Sequence, residues 1–270
     1  MANKVPDEKV DKAFSWLTEK VKAIKYDGRQ LTPEKLKTQI RHYEATKEIA
    51  KTRNLDFVGV KCHYEMSRNY CTQCISAAFM NDPYDWDGPK EPTVFACEAD
   101  ADAALTMQIL KLLTNDPVLF MDVRHWDTEY HVMVFCNCGS ESTYYSGRSD
   151  SPDENLKGVT LYPALDIYSG GGAHVNCMTK AGTATIARLF RTRGKYRMVI
   201  IPAEFVELPE EKMAETTIEW PHVFAKLNVD HEYFIERFDA NHCHAVYGDW
   251  TNELKMISKM LNIDVEILST

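Results

Sequence analysis

Two carboxylates stand at matched positions between Thr93 and Asp122, in TVFACEADADAALTMQILKLLTNDPVLFMD: Glu98 follows the apolar run TVFAC, and Asp122 follows PVLFM. In open parallel sheets, ligands gather beyond the carboxyl ends of the strands. Neighbouring carboxylates repel when both are ionised, and they stay ionised together when a divalent cation lies between them. Oxygen donors with one imidazole suit Mn2+ or Mg2+ better than a soft-ligand metal. The segment DANHCHAVYGD offers the imidazole: His242 and His244 alternate, so on a strand they share a face and only one need reach a cation. Plain structural readings stand beside these. Glu98 could cap the following helix, although Glu is a poor cap and Asp100 or Asp102 would serve better. A single His on an apolar segment is more often structural than a ligand.

The eight cysteines pose a separate metal question. Cys71 and Cys74 form a CxxC at the start of a helix, and Cys136 and Cys138 form a CxC at the end of a strand. A structural zinc site needs all four to converge. Small, buried, reduced thiols are the preferred reading.

Elements that could position these residues are legible in the hydrophobic spacing. Val10, Phe14, Leu17 and Val21 fall at helical intervals, as do Leu36, Ile40, Tyr43 and Ile49 in a helix with Thr32 as N-cap and Pro33 at its first position. LDFVGV, TVFAC and PVLFM read as buried strands separated by helices, which predicts right-handed crossovers and a parallel sheet. Beyond about residue 125 the texture changes to short β-like runs divided by Gly and Pro, with two late helices and a final strand DVEIL. The expected fold is therefore α/β: a parallel, Rossmann-like α/β domain over 1–116, followed by a β-rich domain over 117–270.

Composition bounds the function classes. The chain has 270 residues, a formal net charge of -9 and no dense basic stretch, which disfavours duplex nucleic acid as a partner. No apolar run is long enough for a membrane span and the N-terminus lacks a secretory signal, so a cytoplasmic location is expected.

Several co-linear segments resemble the L-fucose isomerases and their relatives: EPTVFACEADADAALTMQIL, PVLFMDVRHWD, GKYRMVIIPAEFVELP, EWPHVFAKL and NHCHAVYGD. The two acids lie 24 positions apart (122 minus 98), as in that family. The resemblance runs from about residue 10 to the C-terminus. It implies an aldose–ketose isomerase that uses Mn2+, with Mg2+ or Co2+ as alternatives, and converts L-fucose to L-fuculose and D-arabinose to D-ribulose through an enediol. It places the metal ligands on Glu98, Asp122 and His242, the catalytic acid/base pair on Glu98 and Asp122, and sugar contacts on Trp220 and Asn241. It also implies that this chain corresponds to the C-terminal part of a larger enzyme, as a truncated form or one half of a split one. The expected partners are a small sugar and either further copies of the chain or a separate N-terminal subunit. A non-catalytic sugar-binding protein and an isomerase of another hexose, such as a sulfonated one, are the alternative readings.

Other residues have two readings each. Lys61 and His63 follow a strand and face either sugar hydroxyls or solvent, and Arg124 either steadies Asp122 or is solvated beside His125. SGGGAH, Ser169 to His174, lacks the context of a phosphate loop and reads as a flexible turn. The acidic loop NDPYDWDGPKE reads as surface, with Trp86 available to pack on a neighbouring subunit.

Overall fold

A computed structural model describes residues 1–269. Helix α1 (Asp7–Lys20) and helix α2 (Pro33–Thr52) form where the spacing predicts them. Thr32 caps α2 by accepting from the Lys35 N–H. Strand β1 (Ala23–Ile24) lies between the two helices, and strand β2 (Phe57–Gly59), helix α3 (Cys74–Asn81), strand β3 (Val94–Ala96) and helix α4 (Ala101–Thr114) follow. Strand β4 (Leu119–Asp127) and strand β5 (Val132–Cys136) form a hairpin. Strand β6 (Thr160–Pro163) and strand β7 (Ala173–Asn176) come next, then the long hairpin of strand β8 (Gly182–Thr192) and strand β9 (Lys195–Val206). Strand β10 (His222–Leu227), helix α5 (His231–Arg237), strand β11 (His242–Tyr247), helix α6 (Thr251–Met260) and strand β12 (Asp264–Ile267) complete the order.

Six of these strands close on themselves. The neighbours run β8, β11, β4, β5, β10 and β9, and β9 pairs back onto β8, with every pairing antiparallel; β12 adds to β9 in parallel. Closure removes the exposed strand edges that an open sheet of this length would present. Alternation then sorts the side chains. Leu119, Met121, Met133, Phe135, Ile186, Ile201, Cys243 and Ala245 form one core, and Phe120, Ala187, Leu189, Ile200 and Val246 join a second core with Ala103, Met107 and Leu110 of α4. A helix cannot lie inside a six-stranded barrel, so the second set is the barrel's outer face and α4 covers it. Asp122 and His242 share the strand parity of that outer face.

The expected parallel sheet does not form. β2 and β3 pair in parallel as an isolated two-stranded ladder, β1 pairs in parallel with β6 in a sheet completed by antiparallel β7, and β12 is a parallel addition to the barrel strand β9. The run PVLFM opens β4, which pairs with β11 and β5 rather than with β3. Asp122 is consequently the fourth residue of a nine-residue strand and not its end. Buried apolar strand residues look alike in sequence whether they feed a parallel sheet or a closed barrel.

Two loops also differ from expectation. Gly171 and Gly172 are buried with left-handed φ of +73° and +121°, and a Cβ on Gly172 would lie 2.7 Å from the Gln39 side chain, so SGGGAH is a tightly packed turn. The first half of the acidic loop is interior: Trp86 donates to Glu44 at 2.7 Å and packs on Tyr43, while Asp82 is wrapped by the Ser142 and Thr143 hydroxyls at 2.6 Å each. Asp87, Pro89 and Glu91 in its second half are exposed, as expected. Acids read as solvated are buried because hydroxyls satisfy them.

Candidate active site

Glu98 stands on the turn that joins β3 to α4. Glu98 and Ala99 both take left-handed backbone conformations, with φ of +59° and +58°. Such positions cost about 1 to 3 kcal/mol each for residues with a Cβ, and they persist where the surroundings over-determine them. Gly59 at the end of β2 is part of that constraint: a Cβ there would sit 3.0 Å from the Ala99 Cα. Asp100 then caps α4, accepting from the Ala103 N–H at 2.9 Å. The Glu98 side chain is about a third exposed, at 32%.

Asp122 and His242 are direct partners across β4 and β11. His242 Nε2 lies 3.8 Å from Asp122 Oδ1 and 3.8 Å from Glu98 Oε2. Nδ1 of the same ring donates to Asp100 Oδ2 at 2.8 Å. The Phe120 ring packs beside it, with centroids 4.8 Å apart. Three acids thus converge on one imidazole. Burial pushes the Asp122 carboxyl up to about 6, against the opposing pull of Arg124 and His242. Burial opposes the charge on His242 too, but the Asp100 hydrogen bond and the nearby carboxylates hold its pKa above the ordinary value. Asp100 behaves oppositely to Asp122: despite burial, His242, the Ala103 N–H and Arg188 keep it well below the usual carboxylate range.

Arg124 sits beside Asp122 at a bulge, where the β4–β5 register shifts between Val123 and His125. Its Nη2 donates to Asp122 Oδ2 at 2.6 Å and its Nε points to the Cys136 sulfur at 3.2 Å. The guanidinium lies over the Trp220 ring, 4.7 Å from the centroid. Trp220 therefore reaches this neighbourhood through Arg124, and its indole Nε1 is buried without a hydrogen-bond partner. Asn241 is exposed and precedes His242; its carbonyl accepts the Val123 N–H at 2.8 Å.

Whether these residues suit a cation can be judged from their donors. Asp122 Oδ1 is buried and has no hydrogen-bond partner. At 3.8 Å from His242 Nε2 it is too far to hydrogen-bond. One small cation with bonds of about 2.1 Å spans up to roughly 4.2 Å between two ligands. The donor types and this spacing fit a hard divalent cation. The three side chains are not drawn into a closed shell, and among the described residues no group of three or more His, Cys, Asp and Glu donors forms one.

The cysteines are free thiols and do not converge as zinc ligands. Cys136 faces Arg124, Cys74 lies 3.3 Å from His174 Nδ1, and Cys138 meets Cys97 at 3.6 Å beside Glu98. His244, fully buried, turns to Arg188 Nη1 at 3.3 Å and not to the acids. Lys61 is exposed and pairs with Glu65, whereas His63 lines a narrow cavity with Cys62, Cys97, Cys138 and Tyr168. Two residues of the cluster have a role that sequence reading missed. Asp100 is legible as a helix cap but not as a partner of His242. Arg188 was detectable in principle, since an arginine inside the apolar run TATIARLF needs a buried acceptor.

Comparison with known proteins adds the family. Residues 135–269 match the family described as "L-fucose isomerase, C-terminal domain", and residues 39–115 match "L-fucose isomerase, second N-terminal domain". The chain belongs to the L-fucose isomerase family. Proteins of two names are among its similar relatives. A sulfoquinovose isomerase of Clostridium sp. (strain MSTE9) is 25% identical over 243 residues, covering 89% of this chain and 50% of the relative. An L-fucose isomerase of Bacteroides thetaiotaomicron is 27% identical over 266 residues, covering 81% of this chain and 45% of the relative. An L-fucose isomerase of Streptococcus pneumoniae (strain JJA) is 27% identical over 235 residues, covering 70% and 40%. The chain thus spans about half the length of the curated relatives it matches. The match to the C-terminal domain covers both barrel hairpins in part or whole, together with His242; Glu98 falls in the second N-terminal match, and Asp122 lies between the two. Among the described residues, no helix of this family member is long and apolar enough to cross a membrane.

Proposed function

We propose that this chain forms the metal-binding and acid–base part of an aldose–ketose isomerase, acting with further copies of itself or with a separate N-terminal subunit. The single observation that carries the reading is His242 Nε2 lying 3.8 Å from both Glu98 Oε2 and Asp122 Oδ1, the latter buried and unpartnered. Glu98, Asp122 and His242 would hold the cation, with Mn2+ first and Mg2+ or Co2+ as alternatives. When bound, it would supply Lewis-acid polarisation of a sugar carbonyl and the adjacent hydroxyl. The two acids come from different elements, one on a turn and one on a barrel strand. That arrangement lets one carboxylate carry a proton from C2 to C1 by way of an enediol while the other handles hydroxyl protons. Arg124 keeps Asp122 oriented, and Trp220, under the Arg124 guanidinium, and Asn241, next to His242, would border the sugar.

L-fucose and D-arabinose, which share stereochemistry at C2 to C4, are the first substrates to assay. The relatives named sulfoquinovose isomerase make a sulfonated hexose the third. The test is turnover of these sugars in D2O by the Mn2+-loaded assembly. Solvent deuterium at C1 of the ketose supports the enediol, and turnover without deuterium contradicts it. No turnover of any aldose, with metal bound and the partner supplied, favours a sugar-binding protein.

A further inference from the structure

Asp100 does more than a helix cap requires. One oxygen accepts the Ala103 N–H at 2.9 Å, and the other accepts His242 Nδ1–H at 2.8 Å. Arg188, on β8 and only 8% exposed, donates Nη2 to the same carboxylate at 3.2 Å from Oδ1 and 3.0 Å from Oδ2. A cap alone needs a single acceptor, which Ser or Asn supplies as well as Asp. A buried guanidinium spent on the cap residue points to a further role for that carboxylate.

We infer that Asp100, clamped by Arg188, is the positioning residue that decides which nitrogen of His242 faces Glu98 and Asp122. The inference rests on the metal reading above. A carboxylate can only accept, so it retains the hydrogen on Nδ1 and leaves the Nε2 lone pair toward Asp122 Oδ1 and Glu98 Oε2. Asp100 itself is not a ligand, because its two oxygens are occupied by three donor groups. Glu98 lies two residues earlier on the same turn. One strained turn therefore places the Glu98 carboxylate and sets the orientation of the imidazole from the opposite strand. Arg188 extends the arrangement to His244, 3.3 Å away, which explains a second buried histidine behind the first.

Two substitutions separate positioning from capping. Asp100→Asn keeps the cap, because its oxygen must face the Ala103 N–H; its amide then meets Nδ1 and moves the hydrogen to Nε2. Asp100→Ser keeps the cap but is too short to reach the ring. Mn2+ affinity, measured by electron paramagnetic resonance of free Mn2+ at a temperature where circular dichroism shows each variant folded, should fall about 10- to 100-fold in both variants. The melting temperature should fall too, because Arg188 is left buried without its carboxylate. Parental affinity in either variant overturns the inference. If the parent shows no affinity that depends on His242, the metal reading fails instead. The imidazole 15N spectrum of the metal-free protein then still decides this one: Nδ1–H in the parent and Nε2–H in Asp100→Asn support it, and the same tautomer in both overturns it.

Discussion

Asp122 and His242 face each other across two barrel strands, yet their side chains do not bond: Oδ1 and Nε2 stand 3.8 Å apart, and Oδ1 is buried with no other partner. Buried carboxylate oxygens are rarely left this way. The charge and donor types around it are those a divalent cation would compensate.

Arg124 is the local compensation for the Asp122 charge, at 2.6 Å with little solvent around the carboxylate. Its replacement by Met leaves a buried acid without its partner. At pH 8 the variant should lose about 3 kcal/mol of stability. At pH 5 the loss should be smaller, because Asp122, already pushed up to about 6, rises further without the guanidinium and is neutral there. Urea unfolding at the two pH values checks both parts.

Gly59 lets β2 approach the turn that holds Glu98. Gly59→Ala adds a methyl 3.0 Å from the Ala99 Cα, a backbone atom that cannot rotate away. The expected cost is about 1 to 3 kcal/mol, together with weaker Mn2+ binding as the turn is displaced. Thermal unfolding and metal titration of the same sample test whether the two effects move together.

Glu141 should make stability depend on pH. It is fully buried, accepts from Cys177 and Thr179, and has its second oxygen unpartnered. Burial raises its carboxyl from 4.5 to about 8. The folded pKa lies above the unfolded one, so its stabilisation is complete below about pH 4.5 and is lost as pH rises toward 8. Denaturation midpoints should decline over that window, and Glu141→Gln should flatten the decline. An unchanged slope in the variant would remove Glu141 as its cause.

Much of the local structure was legible because its signals are local. Thr32 and Pro33 open α2, Asp100 opens α4, and β8 and β9 fall among the β-like runs beyond residue 125. Strand partners were not legible. PVLFM carries the same apolar run for a parallel sheet as for a barrel, so Asp122 was placed at a strand end and lies inside β4. The site was legible in its types and not in its supports. Glu98, Asp122 and His242 stand out by residue type and motif and lie near one another, whereas the Asp100–Arg188 clamp joins residues 88 positions apart and leaves no periodic trace. The buried acids Asp82 and Glu141 were hidden for a related reason: their hydroxyl partners come from distant segments of chain.

The central claim is that Glu98, Asp122 and His242 share one divalent cation, and the most direct measurement is Mn2+ binding by the chelator-stripped protein and its single variants. The account predicts about one Mn2+ per chain, with affinity lowered at least tenfold by each of Glu98→Gln, Asp122→Asn and His242→Ala. It also predicts that Cys138→Ser leaves the stoichiometry unchanged. Parental stoichiometry and affinity in all three variants would contradict it.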